Sequence, residues 1–213
     1  MKHLDITFDL ETLGLSSYAA VMQIAAVVWD RNMKENPFVY NLDLEVESFN
    51  QAIDLRTCVF DGFEFNQDTL NWWAKQNSNL KVSLLLNEEL MPINEAFSNF
   101  IYWIADVKEK YDAESVCLWC QGSDFDISIL KNVCKKYQID LPIKYTDFRD
   151  ARTFILETIY RKDAGGFSFE NVGINYKDIP PLPTEFEKQE LILHNALYDC
   201  LKTTWNVWQM MKN

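Results

Sequence analysis

The chain has no apolar run long enough to cross a bilayer, and its N-terminus carries no signal-peptide pattern. A membrane role is excluded on that reading, and a cytoplasmic setting is expected (the host cytoplasm if the chain is phage-encoded). There is also no internal repeat, low-complexity tract or linker that would divide it. Residues 1–213 are therefore expected to form a single domain, long enough to bury a sizeable core. Basic residues are in deficit, 20 Lys and Arg against 32 Asp and Glu, which gives a net charge of −12. So acidic a chain is poorly suited to broad binding of nucleic-acid duplexes. Grip on one strand end at a metal-loaded site is not excluded by it.

Histidine is scarce, with only His3 and His194, and His3 sits at a terminus. The five cysteines are an odd number in a chain too large to need disulfides. Cys117 and Cys120 form a CxxC, but no second pair or suitably spaced histidine completes a zinc site. Their surroundings, VCLWCQG, read as a buried strand in which cysteine acts as a small hydrophobe. What is abundant is ordinary for a globular protein, 48% hydrophobic and 24% charged residues. Basic residues concentrate from Lys131 to Lys162, where eight Lys or Arg stand against four Asp or Glu. A solvated helix face and a phosphate-contacting surface are both open there.

Periodicity gives the organisation. Strands are expected at Leu4–Leu10, Val21–Trp29 and Phe38–Val46, joined by connections short enough for an antiparallel meander. Ser48 to Asn66 shows no period and reads as an excursion. Helices follow at Asp68–Gln76, Pro92–Lys110, Asp124–Tyr137 (with Asp124 as its N-cap), Asp150–Tyr160 and Asn195–Met211, with strands at Ser115–Trp119 and Ile143–Phe148. Lys162 to Pro183, with its glycines and prolines, reads as a loop or lid. Three strands followed by alternating helices and strands predict an α/β fold with a mixed central sheet flanked by helices: three antiparallel strands, then parallel ones.

Five residues in three segments carry the chemistry. Asp9 and Glu11 lie two apart on the first strand, so the strand period puts both on one face, with Thr7 and Leu13 beside them and Ile6, Phe8 and Leu10 opposite. Two acids side by side on an apolar strand are unfavourable unless a cation neutralises them. Asp126 follows a buried strand and Gly122 in the first turn of a helix, a favoured place both for a dipole-compensating acid and for a ligand site. His194 and Asp199 are five apart, a rotation of roughly 140° on a regular helix. They do not share a helical face, so His194 is expected at the helix entrance with Asp199 inside.

Together these segments resemble the DEDDh group of 3′–5′ exonucleases. The order is Asp-x-Glu, then Gly122-x-x-Phe125-Asp126-x-x-Ile129-Leu130, then His194-Asn195-Ala196-Leu197-Tyr198-Asp199. Thr69–Gln76 and Asp147–Thr153 are similar to segments of phage and prophage exonucleases of the exonuclease A type, so the resemblance covers most of the chain. It implies a ribonuclease-H-like fold with the site at one end of the sheet. It also implies hydrolysis of phosphodiester bonds from the 3′ end of single-stranded DNA or RNA, releasing nucleoside 5′-monophosphates. On that basis Asp9, Glu11, Asp126 and Asp199 would hold two Mg²⁺ or Mn²⁺ ions, and His194 would be the general base. Thr12, Leu13, Trp73, Arg149 and Arg152 are the substrate-binding candidates. Trp73 is offered as a stacking platform, though Trp72 and Trp73 point about 100° apart and are not both expected to face the site. Arg149 and Arg152 contact phosphate or pair with Asp150, the pairing being favoured. An oligoribonuclease-like enzyme on short oligonucleotides, a non-catalytic nucleic-acid-binding module and a homodimer all stay open.

Overall fold

In the computed structural model, residues 3–85, 89–162, 179–187 and 194–212 are described. The expected sheet is present, with five strands in the order β3-β2-β1-β4-β5. Strand β1 (His3–Thr12) is central. It pairs antiparallel with β2 (Val21–Trp29), which pairs antiparallel with β3 (Ser48–Ala52). On its other side β1 runs parallel to β4 (Ser115–Cys120), and β4 runs parallel to the three-residue β5 (Phe148–Asp150).

Helices cover both faces. They are α1 (Leu55–Phe60), α2 (Gln67–Ala74), α3 (Ser78–Leu85), α4 (Ile93–Lys110), α5 (Asp126–Tyr137), α6 (Ala151–Lys162), α7 (Thr184–Glu187) and α8 (Ala196–Lys212). Leu4, Ile6, Phe8 and Leu10 of β1 join one apolar core with Phe97, Phe100 and Ile104 of α4 and Ile129, Leu130 and Val133 of α5. Ala25, Val27 and Trp29 of β2 join a second core with Cys200, Trp205 and Trp208 of α8. Period-two alternation in β1 and β2 therefore sorts side chains into two layers, one on each side of the sheet. Cys117 and Cys120 divide between these layers as free thiols, so the CxxC does not converge on one point.

Several boundaries differ from the sequence reading. The third strand is Ser48–Ala52, within the stretch read as an excursion, while 38–46 forms only isolated bridges, Trp29 to Phe38 and Tyr40 to Val46. SFNQA is an edge strand with only Ala52 buried, so it carries no apolar alternation to read. Helix α5 begins at Asp126, and its N-cap position is Phe125 without a side-chain bond, not Asp124. The fifth strand is reduced to Phe148–Asp150 behind a 3₁₀ turn at Tyr145–Asp147. Most of the Gly- and Pro-bearing loop, residues 163–178, lies outside the described residues.

Candidate active site

The face of β1 that meets α8 carries Asp5, Thr7, Asp9 and Glu11 in succession. The first two are satisfied by the protein. Asp5 accepts two bonds from Arg31 (2.8 and 2.5 Å) and one from Trp119 Nε1 at 2.7 Å. Thr7 Oγ1 accepts from Trp29 Nε1 at 3.0 Å and from Thr204 Oγ1 at 2.7 Å. The next two residues on the stripe face other carboxyls instead. Donor oxygens of Asp9, Glu11 and Asp199 all lie within 4.8 Å of one another.

Each contributor is placed by a local feature. The pairing of β1 with β4 ends at Thr7–Trp119. Beyond that point Asp126, from the first turn of α5, lies near the backbone N–H of Leu10, which favours its charged form. The turn that brings α5 there passes through Gly122 at φ +133°, a conformation other residues rarely adopt, with the Arg152 guanidinium 3.7 Å from where a Cβ would stand. Asp199 lies in the first turn of α8, where the helix dipole favours a negative charge. Asn195 Oδ1 accepts from Leu197 N at 3.1 Å, capping that helix. His194 precedes it at φ +70°, and its backbone N–H donates to Asp199 Oδ2 at 3.2 Å. The histidine thus stands at the helix entrance, as its spacing from Asp199 predicts.

Crowding shows in the acidities. Burial, then Asp126, Glu11 and Asp199 in that order, push the Asp9 carboxyl well above the ordinary range. Burial and the charges of Asp199 and Asp126 raise Glu11 to about 9. Burial raises Asp126 to about 7 against the opposing effect of the Leu10 amide. Asp199 is raised by burial, with His194 acting the other way. Four carboxyls in this state cannot all ionise near neutrality by themselves. A hard-oxygen set that becomes stable when ionised only beside positive charge fits divalent cations.

The remaining candidates divide. Thr12 lines a cleft beside Glu11 together with Leu15, Thr69, Trp72, Trp73 and Phe125. The sheet register shifts between Glu11 and Thr12, and Leu13 turns into the core at 5% exposure instead of continuing the carboxylate face. Both tryptophans line that cleft, but Trp72 is the more exposed of the two. Trp73 is 6% exposed and donates from Nε1 to Thr12 O at 2.9 Å, whereas Trp72 is 40% exposed. Helix pitch fixed their divergence but not which one faced in. The favoured pairing of arginines with Asp150 does not form. Asp150 accepts from the backbone of Ser123 (2.6 Å) and Thr153 (2.7 Å), capping α6. Arg149 donates to the carbonyls of Thr146 and Phe148, and Arg152 to that of Gln121 at 3.1 Å.

Gln23 is a site residue the sequence reading missed. It lies opposite Glu11 on β2, and its Oε1 accepts from Ala196 N at 2.9 Å while Nε2 donates to Asn50 Oδ1 at 2.7 Å. It therefore ties the entrance of α8 to the sheet. The available signal was a polar residue inside the apolar run MQIAAVVW.

The family described as 3′–5′ exoribonuclease Rv2179c-like domain matches residues 4–211. An exodeoxyribonuclease of Enterobacteria phage T4 is 24% identical over 219 residues, covering 93% of this chain and 85% of that protein. Among solved structures, cell-death related nuclease 4 (CRN-4) matches with a TM-score of 0.61 at 16% identity, over 99% of this chain and 64% of that one. Exonuclease I matches with a TM-score of 0.52 at 12% identity, over 97% of this chain and 42% of that one. This chain thus spans less than two thirds of the length of either structural relative, and what it shares with them is the mixed-sheet, ribonuclease-H-like fold.

Proposed function

Because this chain belongs to the family of Rv2179c-like 3′–5′ exoribonuclease domains, we propose that it works as a DEDDh-type 3′–5′ exonuclease in which Asp9, Glu11, Asp126 and Asp199 hold divalent cations, two Mg²⁺ or Mn²⁺, at which the 3′-terminal phosphodiester of a single strand of DNA or RNA is hydrolysed. The observation that carries this reading is the convergence of Asp9, Glu11 and Asp199 oxygens within 4.8 Å, with acidities raised by burial and by each other. Bound there, such cations would supply Lewis acidity for activating water near neutral pH and for charge neutralisation at the leaving oxygen.

The protein's own residues do the rest. His194 accepts the proton of the attacking water at a ring nitrogen. Its backbone bond to Asp199 fixes the base relative to the carboxylates. Asp126, in the first turn of α5 beside the Leu10 amide, and Asp9 and Glu11, on the paired central strand, form a preorganised floor of carboxyls. Thr12 and the cleft beside Glu11 receive the terminal nucleoside. The leaving group is the 3′-oxygen of the penultimate nucleotide, so the product is a nucleoside 5′-monophosphate. Residues 1–213 act as a single exonuclease domain in this account.

The test is release of nucleotide from matched 3′-labelled DNA and RNA oligomers, of dinucleotide and longer length, with and without Mg²⁺. Stepwise shortening from the 3′ end is expected with Mg²⁺, and loss of it in Asp9→Ala and Asp199→Ala. Full activity in excess chelator, or in both variants, would overturn the assignment.

A further inference from the structure

Helix α2 is held to the strand that carries Glu11. Asn66 Oδ1 caps its start by accepting from Thr69 N at 3.0 Å, and Trp73 Nε1 reaches Thr12 O. The next residue back, Trp72, packs edge-on against Trp73 with ring centroids 5.1 Å apart and planes at 85°. On its other side it meets the His194 ring in the same geometry, at 4.7 Å and 84°. Among the described residues Trp72 is the one aromatic ring against this imidazole, and no ring nitrogen of His194 is held by a hydrogen bond there. The backbone of His194 is fixed by Asp199, but that bond leaves χ1 and χ2 of the side chain free. A proton acceptor needs one free ring nitrogen aimed at one point, and with neither ring nitrogen hydrogen-bonded among the described residues, the contact that orients the ring there is the packing against Trp72.

We propose that Trp72 is a positioning residue for His194: its indole, braced by Trp73 on α2, selects the imidazole orientation that faces the carboxylates. The inference rests on the reading of His194 as proton acceptor. Trp72 also walls the cleft beside Glu11 and Thr12. A nucleoside seated in that cleft therefore touches the residue that holds the base, and occupancy and orientation of the base are linked through one side chain. Losing an edge-to-face aromatic pair shifts an orientational population by about threefold to tenfold.

With only two histidines in the chain, a His3→Gln background leaves a single imidazole to follow by NMR. In the metal-loaded protein, the His194 ring-proton resonances are expected to carry an indole ring-current displacement. Trp72→Leu moves them to the positions of a free imidazole, and Trp72→Phe keeps most of the displacement. With saturating oligonucleotide, kcat falls about threefold to tenfold in Trp72→Leu and stays within about twofold in Trp72→Phe. Under single-turnover conditions the Trp72→Leu effect disappears in a His194→Ala background, the non-additivity of residues acting as one unit. Unmoved His194 resonances in Trp72→Leu, or a change in KM with kcat intact, would overturn the proposal. Full kcat in His194→Ala would instead remove the base assignment itself.

Discussion

A site that needs positive charge should weaken the protein that lacks it, and Glu11 allows the effect to be sized. The perturbation is Glu11→Gln, measured with chelator present. In the fold the Glu11 carboxyl titrates at about 9, against 4.5 for the ordinary side chain, because burial and the charges of Asp199 and Asp126 disfavour ionisation. Below pH 4.5 folded and unfolded chains both hold the proton, and the group adds no pH dependence. From 4.5 to about 9 the unfolded chain has released its proton while the folded chain retains it, so stability falls as pH rises, and levels off above 9. At about 1.4 kcal/mol per pH unit the full gap is a ceiling of roughly 6 kcal/mol. At pH 8 an amide in place of the carboxyl recovers most of that loss, offset by about 1–3 kcal/mol for imperfectly satisfied buried polar atoms. A net gain of roughly 2–4 kcal/mol raises Tm by about 5–15 °C for a chain of this size. Thermal unfolding by circular dichroism at pH 5 and pH 8 checks it. Glu11→Gln should exceed wild type at pH 8, the difference should shrink towards pH 5, and exonuclease activity should be lost. A Tm difference independent of pH, or a less stable variant at pH 8, would refute the claim that carboxylate repulsion strains the metal-free fold.

Three further outcomes follow from the same contacts. Gln23→Leu removes the acceptor of the Ala196 amide, so it should cost about 1–2 kcal/mol in denaturant unfolding and lower kcat more than KM as the α8 entrance loosens. Arg31→Met leaves Asp5, 1% exposed, with Trp119 as its remaining side-chain partner; the expected loss is roughly 2–3 kcal/mol, below the figure for a fully buried pair because water reaches the guanidinium. Trp73→Phe deletes the donor to Thr12 O, and an unfolding titration should read about 1–2 kcal/mol.

Much of the site was legible because the spacings are governed by fixed pitches. Period two placed Asp9 and Glu11 on one face, and five residues on a helix set His194 apart from Asp199 at the entrance of α8. The sheet was legible where its strands are apolar. It was not legible at β3, whose mostly polar SFNQA sits at an edge with Phe49 as its one large apolar side chain. What pitch cannot supply is absolute rotation. The sequence tells that Trp72 and Trp73 diverge, but only the bond from Trp73 to Thr12 decides which is buried. Leu13 left the expected face because a register shift at Glu11–Thr12 broke the alternation. The Asp150 cap and the Gln23 tether likewise depend on backbone amides brought together from distant segments, for which residue type leaves little trace.

The central claim is that three segments of chain converge to bind cations that the fold without them cannot comfortably do without. Calorimetric titration of Mn²⁺ into the chelator-stripped protein at pH 8 tests it most directly. Two ions per chain are predicted for wild type, with binding abolished or sharply weakened in Asp9→Asn and Asp199→Asn, variants that should both melt no lower than the metal-free wild type. Absence of Mn²⁺ binding in the wild type, or an isotherm unchanged by either substitution, would contradict it.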